Sequence, residues 1–454
     1  MPAPRYAQIH QDAGPWMLPL GGCGQFGANL TLYGSAGCWI AVDCGMSLGE
    51  RADGDSGMAV PDLDALSRLD IRLDALLVTH GHEDHIGAIP QLWRQLGCPI
   101  LATPHAARLI AAKLDPDQNG PVIRQVTPLQ PMSIGPFSVE WVPMTHSIPE
   151  SQAIVLRVAG RTLFHTGDWK LDASPVVGGL TAISRLLALG REGVDVVIGD
   201  STNATVAGSS LSEAVVARTL EAVIARCPQR VVVSCFASNL ARLQSLVLAG
   251  LRHGRHAAVL GRSLERHLGA GRGGDLLDPA VRLLPPWELG FLPASAQLWL
   301  CTGSQGEPGS ALEKVARGRH PALEIAAGDT LLLSSRVIPG NELAVQRLRN
   351  QYEALGVQVI DDETEAIHAS GHPPQEDLRT LYGWLKPRHL VPVHGEVRHQ
   401  QAHLALGQSL GLRGMVPANG DLISLAGLPQ KVASTPTGLL GVDSGPQKAK
   451  TAAV

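Results

Sequence analysis

The chain has 454 residues, 44% of them hydrophobic and 17% charged, with a formal net charge of −4. At about 150 residues per domain, that length points to two or three domains with a sizeable core. The charge excludes a globally basic nucleic-acid binder, so a polyanionic substrate needs a local positive site.

Taken in chain order, the N-terminus Met1-Pro2-Ala3-Pro4-Arg5-Tyr6 lacks the apolar stretch of a signal peptide. No uncharged apolar run reaches the ~18 residues of a membrane span. A cytoplasmic protein is expected. Cys38 to Val42 reads as a strand ending at Asp43. Leu73 to Thr79 reads as a short buried strand and Ile86 to Leu96 as a helix. Pro99 to Thr103 is a strand candidate, followed by a helix from about His105 to Lys113. Further strands are expected at Phe137 to Val142, Ile154 to Val158, Leu163 to His165 and Val194 to Asp200. This pattern predicts an α/β sandwich of mixed sheets with helices outside.

From about Ser210 the texture changes. A helix is expected over Leu211 to Cys227, with Ser212 as its cap and Glu213 in its first turn. Arg230 to Cys235 reads as a strand and Ala237 to Leu248 as a helix stopped by Gly250. Ala257 to Leu260, Gln297 to Cys301 and Thr330 to Ser334 continue the alternation as strands, which predicts a parallel-sheet domain. The helix Leu378 to Leu385 and the strand Leu390 to Val393 then return to the first domain. The expected boundaries are 1–205 for the first part of the first domain, 206–360 for the inserted one and 361–430 for the return segment. A flexible tail is expected over 431–454, from its Pro, Thr, Ser, Gly and Lys content.

The seven cysteines are scattered without a CxxC pair, most of them in apolar contexts. They read as small reduced core residues rather than thiolate ligands. The segment Arg252 to Arg272 gathers five arginines and three histidines. It is either a local positive site or a solvated helix face.

The densest chemistry lies in Thr79-His80-Gly81-His82-Glu83-Asp84-His85. His80, His82, Asp84 and His85 fall on a strand-to-helix turn, where side chains can fan out around one point. Imidazole nitrogens and carboxylate oxygens are the donor set for zinc or manganese. Asp43, His146, Asp168 and His394 each follow an apolar strand in the same way. His10, His105, His165, His253, His256, His320 and His389 have no partner at metal spacing and read as structural.

Eight blocks in fixed order resemble a known family. They are Thr79 to Pro90, Thr145 to Pro149, Thr166 to Asp172, Gly199 to Ala204, Phe236 to Leu240, Pro339 to Glu342, His368 to His372 and Pro392 to Glu396. The chain resembles bacterial ribonuclease J, of the β-CASP nuclease branch of the metallo-β-lactamase fold. The resemblance implies an αββα sandwich with an inserted β-CASP α/β domain. It implies two zinc ions per chain, with manganese as a substitute. His80, His82 and His146 would hold one, Asp84, His85 and His394 the other, and Asp168 would bridge them. Asp43 would orient a ligand histidine. The catalytic residues implied are Asp84, Asp200 and His372, with His372 facing the scissile phosphate. Ser238, Asn239, His368, Ser370, Gly371 and His372 are the implied substrate contacts, and Ser304 lies in a Gly-rich loop that either takes part with them or is an ordinary turn.

The implied activity is hydrolysis of single-stranded RNA, by endonucleolytic cleavage and by 5′-to-3′ exonuclease action on a 5′-monophosphate end. His at position 394 resembles RNA-processing rather than DNA-repair members. The alternatives are a metallohydrolase of small esters, lactones or thioesters, and a catalytically silent RNA-binding partner. Two departures stand out. Few residues follow Glu396, so the family's C-terminal assembly domain is expected to be absent, which leaves a homodimer as the candidate assembly and the question open. Arg336 stands where many members carry a small residue.

Overall fold

The computed structural model describes residue 12 and residues 14–50, 56–115, 119–338 and 340–442. Two large sheets face each other. One has eight strands in the order Gln430–Ser434, Asp421–Ser424, Trp16–Gly21, Leu30–Ser35, Cys38–Val42, Leu73–Leu77, Ile100–Ala102 and Ile123–Gln125. The other has seven, in the order Met132–Ile134, Phe137–Pro143, Gln152–Val158, Arg161–His165, Val196–Asp200, His389–Val393 and Arg413–Gly414. Their inner faces share one core, in which Met17, Ile40 and Leu77 of the first meet Trp141, Ile154 and Ile198 of the second. Helices cover both outer faces. Ile89–Leu96 and Pro104–Ala111 pack on the first sheet, and Ile183–Glu192 and Gln375–Leu385 on the second.

The inserted domain is a parallel sheet of five strands, ordered His256–Leu260, Gln297–Cys301, Val231–Ser234, Thr330–Leu333 and Gln358–Asp361. Glu213–Arg226 and Leu240–Arg252 pack on one face and Ala311–Ala316 and Glu342–Ala354 on the other. Burial on both faces is why runs such as Val231-Val232-Val233 and Leu331-Leu332-Leu333 show no alternation. The chain re-enters the first domain where His389–Val393 pairs in parallel with Val196–Asp200.

Three expectations differ locally. Gly250 does not stop its helix, which runs to Arg252. A Cβ there would lie 2.8 Å from Leu298 Cδ2, so the glycine serves close helix–sheet approach. The single helix over Ile86 to Leu96 is two, Glu83–Ile86 and Ile89–Leu96, and the first carries Asp84 and His85. The segment expected as a flexible tail from 431 contains strand as far as Val442. Gln430–Ser434 pairs with Asp421–Ser424, and Leu439–Val442 with Ser56–Pro61. Both strands lie at sheet edges, with Val432, Ala433 and Val442 packed against the core, and the Pro, Thr, Ser and Gly around them dominate the composition of the segment. The expectations for Met1 to Tyr6, His10 and 443–454 fall outside the described residues. No helix among the described residues is long and apolar enough to cross a membrane. The seven cysteines are all unpaired, five of them buried.

Candidate metal centre

The strands ending at Val42, Leu77, Pro143, His165, Asp200 and Val393 all point their carboxyl ends to one edge of the sandwich. That edge is where α/β sheets usually bind ligands. Asp43 and His394, one residue past their strands, turn the backbone with φ of 61° and 52°. Such positive φ is uncommon outside glycine but tolerated by Asp and His.

Two groups of donors converge. His80, His82, His146 and Asp168 have ligand atoms within 4.8 Å of one another, and so have Asp84, His85, Asp168 and His394. His80 Nε2 and His146 Nε2 each lie 3.0 Å from His82 Nδ1. Asp168 Oδ2 lies 3.8 Å from His80 Nε2 and 3.1 Å from His85 Nε2, between the groups. Asp84 Oδ2 is 3.4 Å from His85 Nε2 and 3.3 Å from His394 Nε2. A third group, Asp168, Asp200, His372 and His394, adjoins them.

The outer ring atoms are tied down. His80 Nδ1 lies 2.9 Å from Thr79 Oγ1, and His85 Nδ1 lies 2.7 Å from Asp43 Oδ2. His146 Nδ1 donates to Gly371 O at 2.6 Å. Such outer partners fix ring orientation and tautomer in metal sites. A Cβ at Gly371 would come within 2.6 Å of His146 Cε1, so no other residue fits.

Electrostatics separates the two groups. Burial pushes His80 and His146 well below the ordinary histidine range and His82 down to about 4. Three neutral imidazoles thus aim nitrogens at one point, which costs free energy unless a cation accepts their lone pairs. Burial opposes charge on His85 and His394, but the carboxylates around them, Asp168 foremost, together outweigh it and lift His394 to about 10. Asp84 and Asp168 are held well below the usual carboxylate range, their burial outweighed by His85 and His394. A buried, carboxylate-rich cluster of this kind fits divalent cations.

His372 belongs to the return segment and joins the site through Asp200, with Nδ1 2.8 Å from Oδ2. Ser370 Oγ accepts from Asn203 Nδ2 at 2.8 Å, and His372 O accepts from the same amide at 3.0 Å. His368 is half-buried, its Nδ1 without a partner. Ser238 is half-buried. Asn239 is committed elsewhere: its Oδ1 accepts from Arg242 N at 2.9 Å as a helix cap, and its amide donates to Glu213 at 3.2 Å.

Sequence reasoning passed over Asn29, whose Nδ2 lies 3.1 Å from Asp84 O and 3.1 Å from His85 Nε2. It also gave Asn203 and Thr79 no role. None carries a local signal, since each acts through a partner distant in the chain or by backbone geometry. The segment Arg252 to Arg272 does not form one exposed positive patch. Arg255 is buried against the carbonyls of Cys227, Gln229 and Gln297, and Arg252 pairs with Glu221.

Comparison with known proteins gives three adjoining family matches. Residues 23–205 match the metallo-beta-lactamase superfamily, 228–352 the ribonuclease J beta-CASP domain, and 357–417 the Zn-dependent metallo-hydrolase RNA specificity domain. The chain is 39% identical to ribonuclease J of Sinorhizobium meliloti over 95% of its own length and 78% of the relative. It is 36% identical to ribonuclease J of Thermus thermophilus, covering 94% of the chain and 77% of the relative. Against ribonuclease J of Corynebacterium glutamicum it is 36% identical, over 93% of the chain but 60% of the relative. A crystal structure of a protein of unknown function from Enterococcus faecalis superposes with a TM-score of 0.63 at 15% identity, covering 91% of this chain and all of that one. That likeness concerns the fold alone.

Proposed function

The chain belongs to the ribonuclease J family, and on that premise we propose that it is a zinc-dependent ribonuclease cutting single-stranded RNA both internally and from a 5′-monophosphate end. The observation that carries the reading is the paired donor set around Asp168 with His372 and Asp200 beside it. His80, His82 and His146 would hold one cation and Asp84, His85 and His394 the other, with Asp168 between. Such a pair supplies activation of water and neutralises charge at a phosphodiester. The imidazole-rich first set favours zinc; the mixed second set also suits manganese.

The protein's own groups do the rest. Asp43 and Gly371 O fix the rings of His85 and His146. Asp200 accepts from His372 Nδ1, which leaves Nε2 to give a proton to the departing oxygen. Asn203 holds the loop at Ser370 and His372, so that backbone N–H groups there can meet substrate phosphate. Ser238 is the open side chain for the terminal nucleotide, while Asn239 positions that turn as its helix cap. Choice of RNA comes from 2′-hydroxyl and base contacts, since phosphate alone does not mark the sugar. Seven unpaired cysteines suit the reducing cytoplasm.

The test is incubation with 5′-monophosphate and 5′-triphosphate RNA, with and without chelator. Mononucleotide release confined to the monophosphate substrate, abolished by chelator and restored by zinc or manganese, is expected. Intact RNA under every metal condition would end the reading.

A further inference from the structure

The inserted domain has a second concavity, of about 250 Å³, at the carboxyl ends of its parallel strands. Ser304 follows the strand Gln297–Cys301, Ser335 follows Thr330–Leu333, and Asp361 closes Gln358–Asp361. The donors of the metal centre contribute nothing to it. Ser304 and Ser335 are 6% and 4% exposed, and neither hydroxyl has a hydrogen-bond partner among the described residues. Both residues line the cavity, so these unpartnered hydroxyls are open to whatever occupies it.

The remaining polar lining is acidic. Glu342, Asp361, Asp362 and Glu363 face the cavity against one cation, Arg349. Arg349 is already paired with Asp361 and Glu353. Burial pushes the Asp362 carboxyl above the usual carboxylate range, with Arg336 opposing the shift. Glu342 accepts from Gly340 N at 2.8 Å, and neither it nor Glu363 forms an ion pair among the described residues.

The sign of the charge excludes a phosphate. A single metal ion does not fit either. No three of these carboxylates bring oxygens within 4.8 Å of one another, so they do not form a ready-made ligand set around one ion. Carboxylates spread around one cavity match a ligand whose positive charges are themselves spread out. Leu333, Val337 and Val345 supply an apolar wall between them, suited to the methylene stems of such a ligand.

We propose that this cavity binds a linear aliphatic polyamine. Its ammonium groups meet Glu342, Asp362 and Glu363, its N–H groups donate to Ser304 and Ser335, and its methylenes lie on Leu333, Val337 and Val345. The site has a route to the RNA side of the domain. Ser334, next to Ser335, donates through Oγ to Ile367 O at 2.6 Å, directly before His368. The inference does not depend on the ribonuclease reading, since binding is measured without RNA.

The experiment is calorimetric titration of the full chain with spermidine at fixed ionic strength, alongside magnesium and free arginine. Saturable binding of one spermidine per chain is expected. Ser335→Val, which replaces a hydroxyl of the cavity wall by methyl groups, should weaken it about tenfold, and Glu363→Gln, at an exposed position, by about two- to fivefold. Three results would overturn the site: no saturable spermidine binding up to millimolar concentration, equal affinity in both variants and the parent, or equal displacement by magnesium. Arginine binding as tightly as spermidine would overturn the spread-charge basis of the assignment.

Discussion

Asp200 holds the ring of His372 from behind: Oδ2 and Nδ1 are 2.8 Å apart, across 172 residues of sequence. Burial alone would lower the pKa of His372, but Asp200 and Asp168 together raise it above the ordinary histidine value. The protonated ring therefore persists above pH 6.5, as a proton donor requires. His372→Ala should slow single-turnover cleavage by about 10²–10⁴-fold, the range of a lost general acid, while metal content stays at the parental level. Asp200→Asn should move the alkaline limb of the rate profile to lower pH, because the charge raising His372 is gone. Equal profiles in the two proteins would remove His372 from the proton-transfer role.

Asp43 makes a second such link, to the candidate ligand His85 and to Thr79, which in turn meets His80. Its Oδ1 accepts from Thr79 N at 2.8 Å, and its Oδ2 accepts from Thr79 Oγ1 at 2.8 Å and meets His85 Nδ1 at 2.7 Å. Asp43→Asn keeps the volume and loses the charge. Metal affinity by chelator competition should fall about 10–100-fold, as for other outer partners of ligand histidines. Thermal stability of the metal-free chain should change much less. Unchanged affinity would mean that Thr79 alone orients the cluster.

How much of this was legible depends on where the signal sits. His80, His82, Asp84 and His85 are readable because four donors fall within six residues. His146, Asp168 and His394 are readable as polar residues at the ends of apolar runs. Asn29 and Asn203 are not, because each works through a partner at least 55 residues away. Gly250 misled because a helical glycine looks like a stop until Leu298 is seen packed on it. The tail strands were hidden because their few apolar residues sit in a segment rich in Pro, Thr, Ser and Gly. Asn239 was assigned from its motif, and its side chain proves to be engaged as a cap.

Arg242 is the largest charged side chain in the core of the inserted domain, 1% exposed beside Glu213 at 3%. Its guanidinium bonds both Glu213 oxygens, Ser334 Oγ at 2.6 Å and Ile367 O at 3.0 Å. It thereby ties two helices and a strand to the loop that carries His368. Arg242→Met leaves the Glu213 carboxylate buried without its main partner. Removal of one member of such a pair costs about 3–5 kcal/mol, so a clear drop in urea midpoint is expected. The double variant with Glu213→Leu should recover much of the loss. A single variant as stable as the parent would show that the pair contributes little.

Acid should weaken the fold well above the pH at which carboxylates titrate. Burial holds His105 and His403 at about 4 and His267 at about 3, all neutral in the native protein. Both ring nitrogens of His105 and Nδ1 of His267 are buried without a partner, so no acceptor awaits the extra proton. In the unfolded chain each titrates near 6.5. Between about pH 6.5 and 4 the unfolded state therefore binds protons that the native state refuses, and stability falls as pH falls. Each histidine contributes on the order of 1 kcal/mol per pH unit in that window. The penalty is absent above about 6.5, grows as pH falls, and stops growing below the native pKa. Asp84 and Asp168, whose native pKa values are lowered, act only below the usual carboxylate range and leave this window unaffected. Urea unfolding of chelator-treated protein at pH 7.5 and 5.0 checks the slope without interference from metal release. His267→Leu, which removes the titrating ring from this buried position, should be relatively more stable at pH 5.0 than at 7.5. Because His85, His372 and His394, whose native pKa values are raised, pull the other way above pH 6.5, the deciding result is the variant: a His267→Leu difference from the parent that is equal at the two pH values would mean that this ring accepts a proton inside the fold.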